Sequence, residues 1–150
     1  KYNGTLDKII GDELMIVYGA PLLSEDDTIR AVNTAIEMQL CIKEMNKKRK
    51  KKKEAEILVG AGINRGNVVS GNIGSREMMD YTVIGDTVNL GARLCSAAKP
   101  GEILVSSSVY ESSKNDFVFK KLEPILVKGK EKKVNVYRVK ERNWIIKTYI

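Results

Sequence analysis

Apolar and polar positions alternate near the start of the chain, then recur at helical spacing. Thr5 to Ile10 and Glu13 to Tyr18 predict two short strands around a Gly11-Asp12 turn. In the second strand Leu14, Ile16 and Tyr18 interleave with Met15 and Val17, so both faces are apolar and a central position is expected. Gly19, Ala20 and Pro21 end it. Ile29, Val32, Ile36 and Leu40 then follow at steps of three and four. That spacing predicts a helix capped by Ser24, with Glu25, Asp26 and Asp27 in its first turn, running to about Met45. Strands are expected over Glu56 to Ile63, Asn67 to Gly71 and Met79 to Ile84. A helix is expected from Asp86 to about Ala97, stopped by Lys99-Pro100-Gly101. A strand over Ile103 to Val105, a short helix capped by Ser107 or Ser108, and a strand pair at Phe117 to Leu122 and Val134 to Val139 complete the series. Strand pairs mixed with helices in this order predict an α+β fold, a largely antiparallel sheet with its helices on one face.

A chain of 150 residues is one domain with room for a real core. Two cysteines and no histidine exclude a disulfide framework, a Cys/His zinc site and an imidazole base. No apolar stretch approaches the roughly 20 residues that cross a bilayer, and no export signal opens the chain, so a cytoplasmic setting is expected. The net charge of +7 sits in one place, because Lys47 to Lys53 are seven consecutive positive charges and the remainder is balanced. Like charges in a run repel and stay solvated, so an exposed loop is expected there rather than a nucleic-acid or lipid patch.

Chemistry concentrates in two segments. Gly62 to Gly74 carries four glycines in thirteen residues. That is either a twisted hairpin with tight ends or a backbone surface shaped for a ligand or partner. In Asp80 to Leu94, Asn89 and Arg93 are four apart on the predicted helix and share a face. An amide beside a guanidinium suits a phosphate oxygen, although a cap and a surface ion pair would use the same residues. Asp12, on the strand turn, is a candidate Mg²⁺ ligand as well as an ordinary turn residue.

These segments together resemble the catalytic domain of the class III nucleotidyl cyclases, the adenylate and guanylate cyclase family. Lys8-Ile9-Ile10-Gly11-Asp12 is similar to the family's K-x-x-G-D strand turn. Gly62 to Gly74 resembles its glycine-rich hairpin, and Tyr81 to Leu94 resembles the signature Y-T-V-I-G-D-x-V-N-L-A-A-R-L, with Gly91 in place of an alanine. Val127-Lys128-Gly129-Lys130 resembles the V-K-G-K turn before the last strands. The resemblance implies a ferredoxin-like nucleotidyl cyclase fold over residues 1–142, with 143–150 as a tail. It also implies roles: Asp12 for a metal, Lys8 and Thr82 for the purine edge, Asn89 for the ribose, Arg93 for the pentavalent phosphorus and Lys128 for the terminal phosphates, Lys130 being the weaker candidate. A lysine rather than a glutamate at position 8 is similar to adenylate cyclases, and the Lys–Thr pair resembles the soluble and cyanobacterial subgroup.

The implied activity is conversion of ATP to 3′,5′-cyclic AMP and pyrophosphate with two divalent metal ions, Mg²⁺ or Mn²⁺, at the interface with a second cyclase domain, a homodimer being expected. The family's opening strand, F-x-D-I, with the first metal aspartate, does not occur in the sequence. The expectation is therefore a domain lacking its first strand and helix, inactive as this chain alone, with Trp144 to Ile150 a candidate filler of the gap. Two other readings fit less of the sequence. A non-catalytic cyclase homology domain, acting as a partner, needs no set such as Lys8, Asp12, Asn89 and Arg93. A basic RNA-binding domain would lean on Phe117-Val118-Phe119, but the K-G-F-G pattern before it is missing.

Overall fold

The computed structural model describes residues 1–75, 78–126 and 133–142. In chain order its elements are β1 (Thr5–Ile10), β2 (Glu13–Val17), α1 (Asp27–Lys51), β3 (Ala61–Ile63), β4 (Val69–Ser75), β5 (Met78–Ile84), α2 (Asp86–Ala97), β6 (Ile103–Ser106), α3 (Ser107–Ser113), β7 (Phe117–Lys121) and β8 (Val136–Arg142). The class is α+β, as expected. The strands form a four-stranded sheet in the order β3-β6-β8-β7 and two antiparallel hairpins, β1–β2 and β4–β5. Only β3 and β6 run parallel among the paired strands described.

The core explains the layering. Ile103 and Val105 of β6 pack with Val32 and Ala35 of α1, Val109 of α3, Phe117 and Val139. Leu104, between them, packs on the other face with Val136 and with Leu94 of α2. Side chains alternate along a strand, so α1 and α3 cover one face of this sheet and α2 covers the other. This corrects the expectation of helices on a single face. The physical reason lies in β6 itself, where Ile103-Leu104-Val105-Ser106 is buried at every position and so requires cover on both sides.

Several boundaries also move: β3 begins at Ala61 rather than Glu56, β4 and β8 lie two or more residues later than expected, and both ends of α1 shift. The run Lys47 to Lys53 is not a loop: α1 continues to Lys51 and Lys52 caps it. Cations complement the negative end of the helix dipole, and the last turns are tied down locally. Arg49 Nε donates to the Ala55 carbonyl at 2.6 Å, and Asn46 exchanges two hydrogen bonds with the Ile57 backbone. The lysines of the run remain exposed, as expected of repelling charges. At the other end the helix begins at Asp27 with Asp26 as N-cap, not Ser24. Ser24 sits just outside, its N–H donating to Asp27 Oδ2 at 2.8 Å and its hydroxyl to Asp26 Oδ1 at 2.6 Å.

The β1–β2 hairpin turns through two residues, Gly11 and Asp12, with Gly11 at φ +64°. A two-residue hairpin loop needs that conformation, and glycine adopts it without strain. Tyr18 anchors the hairpin to α1 by donating to Thr34 Oγ1 at 2.6 Å. The central position expected for β2 is not observed: among the described residues β2 pairs with β1 alone. Among the described residues no helix is long and apolar enough to cross a membrane. Lys128, Lys130 and the tail 143–150, including the filler idea, lie outside the described residues.

Candidate active site

Lys8 of β1 and Thr82 of β5 are 74 residues apart in sequence, yet Lys8 Nζ donates to Thr82 Oγ1 at 2.6 Å. Thr82 is buried, 6% exposed. Its hydroxyl donates in turn to Asp7 Oδ2 at 2.9 Å, and the same carboxylate oxygen lies 3.3 Å from Lys8 Nζ. The Asp7 side chain is 7% exposed and the Lys8 side chain 38%, so the ammonium reaches solvent over a closed carboxylate. Asp7 did not figure among the sequence candidates. Neighbouring residues on a regular strand point to opposite faces, and nothing in the composition of β1 marks the exception. The β1–β2 register skips at this point, from Leu6 opposite Ile16 to Lys8 opposite Met15.

Three residues after Thr82 comes Gly85, the N-cap of α2, at φ +142° and ψ 172°. That conformation excludes side chains with a Cβ, so the glycine lets a strand pass straight into a helix. Asn89 and Arg93 lie one turn apart on α2, on the flank of the Leu90 and Leu94 seam that packs on the sheet. Asn89 is exposed and Arg93 half-buried. Neither side chain has a hydrogen-bonding or ionic partner among the described residues, which leaves an amide and a guanidinium free for a ligand.

The glycine-rich segment serves this helix. A Cβ on Gly62 would strike the Cys95 amide and come within 2.6 Å of the Gly91 carbonyl oxygen, so β3 touches the α2 backbone directly. Asn64 Nδ2 donates to the Thr87 carbonyl at 2.8 Å, and Thr87 Oγ1 donates to the Asn67 carbonyl at 2.7 Å. Beyond Asn67 the segment becomes β4, paired with β5 from Val69 opposite Ile84 to Ser75 opposite Met78. The segment is not itself a hairpin, since β3 pairs with β6 and β4 with β5.

Asp12 is exposed at the hairpin tip. Among the described residues no three His, Cys, Asp or Glu side chains are grouped to hold a metal ion. Asp12 by itself offers one carboxylate, fewer than the two-metal centre that the resemblance implies would need. Cys95 is no nucleophile candidate, since burial pushes its thiol up and the Glu13 carboxylate adds to the effect. An open cavity of about 500 Å³ lies at the β2–α1 connection, lined by Gly19, Pro21, Leu22 and Arg30 among others, and none of the candidate residues borders it.

The family model described as "Adenylate and Guanylate cyclase catalytic domain" matches residues 5–141. An adenylate cyclase of Anabaena cylindrica is 34% identical over 147 residues, 92% of this chain and 28% of that protein. Among solved structures, the adenylyl cyclase CyaB from P. aeruginosa superposes with a TM-score of 0.87 at 35% identity, over 93% of this chain and 73% of that one. The guanylyl cyclase Cya2 gives 0.83 at 33% identity, over 97% and 74%. The chain spans about a fifth to a quarter of the curated relatives it matches. The match along 5–141, the shared fold and the Lys8–Thr82 and Asn89–Arg93 arrangements agree: the chain belongs to the adenylate and guanylate cyclase catalytic domain family.

Proposed function

We propose that the protein is an adenylate cyclase, forming 3′,5′-cyclic AMP and pyrophosphate from ATP for intracellular signalling. The observation that carries this reading is the 2.6 Å contact between Lys8 and Thr82. In this reading the Lys8 ammonium donates to N1 of adenine, an acceptor, whereas guanine carries a proton there. In the reaction the ribose 3′ oxygen bonds to the α-phosphorus, the bond from that phosphorus to the bridging oxygen breaks, pyrophosphate leaves and the 3′ proton is released. Arg93 stabilises the negative charge that builds on the phosphorus oxygens, and Asn89 orients the ribose. Lys128 takes the terminal phosphates. A divalent metal, Mg²⁺ or Mn²⁺, is the expected cofactor, with Asp12 contributing one ligand. The partner is a second cyclase domain, in a homodimer with two equivalent sites. Leu6, Ile9, Ile10 and Leu14 of the hairpin, 50 to 64% exposed, support a protein partner. The setting is the cytoplasm or the cytoplasmic face of a membrane.

Reversing the hydrogen-bond polarity at the purine edge tests the reading. In the full-length protein, Lys8→Glu combined with Thr82→Cys is expected to weaken ATP turnover and favour GTP. Steady-state kinetics with both nucleotides measure it, and an unchanged ATP preference would remove Lys8 from base recognition.

A further inference from the structure

The geometry points to Asp7 as a positioning residue that sets purine specificity, by taking the one proton of the Thr82 hydroxyl and so turning Thr82 into a pure acceptor. This rests on the reading above, in which Lys8 donates to N1 of the base, and it sets Thr82 opposite the neighbouring 6-position.

The observation is a β-bulge. Thr5 pairs with Val17 and Leu6 with Ile16, but Lys8 pairs with Met15, and Asp7 has no partner residue on β2. A bulge inserts one extra residue and re-aims the side chains beside it. Here it cancels the alternation that would send Asp7 and Lys8 to opposite faces. Both converge on Thr82, with Asp7 Oδ2 at 2.9 Å and Lys8 Nζ at 2.6 Å from its hydroxyl oxygen. A solvent-exposed position for Asp7 would need no such irregularity, and its side chain is 7% exposed.

The donor count then follows. A carboxylate accepts and does not donate, a threonine hydroxyl has one proton and two lone pairs, and an ammonium has three protons. Thr82 gives its proton to Asp7 and one lone pair to Lys8, which leaves a single lone pair. Lys8 directs one proton to Thr82 and another toward Asp7, which leaves one. The pair therefore shows a ligand one donor at Lys8 and one acceptor at Thr82. Adenine matches it with N1 and the 6-amino group. A 6-oxopurine opposes an oxygen to the Thr82 lone pair and an N–H to the ammonium. Without Asp7 the Thr82 hydroxyl is free to rotate and donate to that oxygen, and discrimination at the 6-position weakens.

The test uses the full-length protein and two readouts: the ratio of kcat/KM for ATP to that for GTP, and equilibrium displacement of a fluorescent ATP analogue by each nucleotide. Asp7→Leu keeps the shape of the side chain and removes the acceptor, and Asp7→Ala is a second acceptor-free variant, each checked by a melting curve. The ATP-to-GTP ratio is expected to fall about 10-fold in both, the size of one oriented hydrogen bond. Asp7→Asn, whose amide oxygen still accepts the Thr82 proton, is expected to hold the ratio within about threefold. In a Thr82→Val background Asp7→Leu is expected to change the ratio no further. An unmoved ratio in folded Asp7→Leu or Asp7→Ala overturns the role of Asp7, as does an equal fall with and without the Thr82 hydroxyl. A parent protein that prefers GTP overturns the ATP reading instead, and the change on removing Asp7 still decides the role of Asp7.

Discussion

Arg93 and Asn89 stand on α2 with no side-chain partner among the described residues, whereas Arg30, Arg49 and Arg138 all have carboxylate partners. A guanidinium left without a partner on a half-buried flank keeps its charge for a ligand. Arg93→Ala in the full-length protein is expected to lower kcat by about 10²-fold or more, with a smaller change in KM for ATP, because added charge on the phosphorus appears only in the transition state. Kinetics that show a KM effect alone would make Arg93 a ground-state binding residue. At this scale much of the site was legible. Asn89 and Arg93 stand out by spacing, because a helix places residues four apart on one face without further information, whereas Lys8 and Thr82 enter only through the resemblance to the cyclase family. Asp7 was not legible, because strand alternation assigns it to the wrong side and the register skip that reverses this depends on the β2 partner. Lys128 lies outside the described residues, and its part in the reading rests on the resemblance alone.

Among the elements, α2 is held by contacts that discriminate between two glycines. Gly62 admits no Cβ, because the α2 backbone occupies that space. At Gly91 a Cβ would meet only Asn64 Cβ, at 3.8 Å, an ordinary contact. Gly62→Ala is therefore expected to destabilise the protein by about 1–3 kcal/mol, as overpacking does. Gly91→Ala is expected to stabilise it by up to about 1 kcal/mol, from helix propensity and a less flexible unfolded chain. Thermal or denaturant unfolding of the two variants checks both signs, and a stabilised Gly62→Ala would contradict the packing of β3 on α2. Element types and most boundaries followed from periodicity and stop signals. α2 ends at Ala97 before the Lys99-Pro100-Gly101 stop, and Gly101 takes φ +80°. The end of α1 did not follow, since seven positive charges read as a breaker until the helix dipole and the tether of Arg49 to Ala55 and Glu54 are counted.

On the scale of the molecule, the layering follows from β6, whose run Ile103-Leu104-Val105 is apolar on both faces and therefore calls for helices on both. The sequence carries that signal, but helix order alone does not say which face each helix takes. Pairing across the sheet is also non-local. β2 reads as a central strand from its two apolar faces, and its pairing within the described residues is confined to β1. Lys8 and Thr82 come from the β1–β2 hairpin and the β4–β5 hairpin, so the proposed purine-reading pair exists only once these separate hairpins meet. The account's central claim concerns what that edge selects. Its most direct test is product analysis on the full-length protein with Mn²⁺ and equal ATP and GTP, measuring cyclic AMP and cyclic GMP together. The account predicts cyclic AMP as the dominant product, with a higher kcat/KM for ATP than for GTP. Cyclic GMP in excess, or equal use of the two nucleotides, would contradict it.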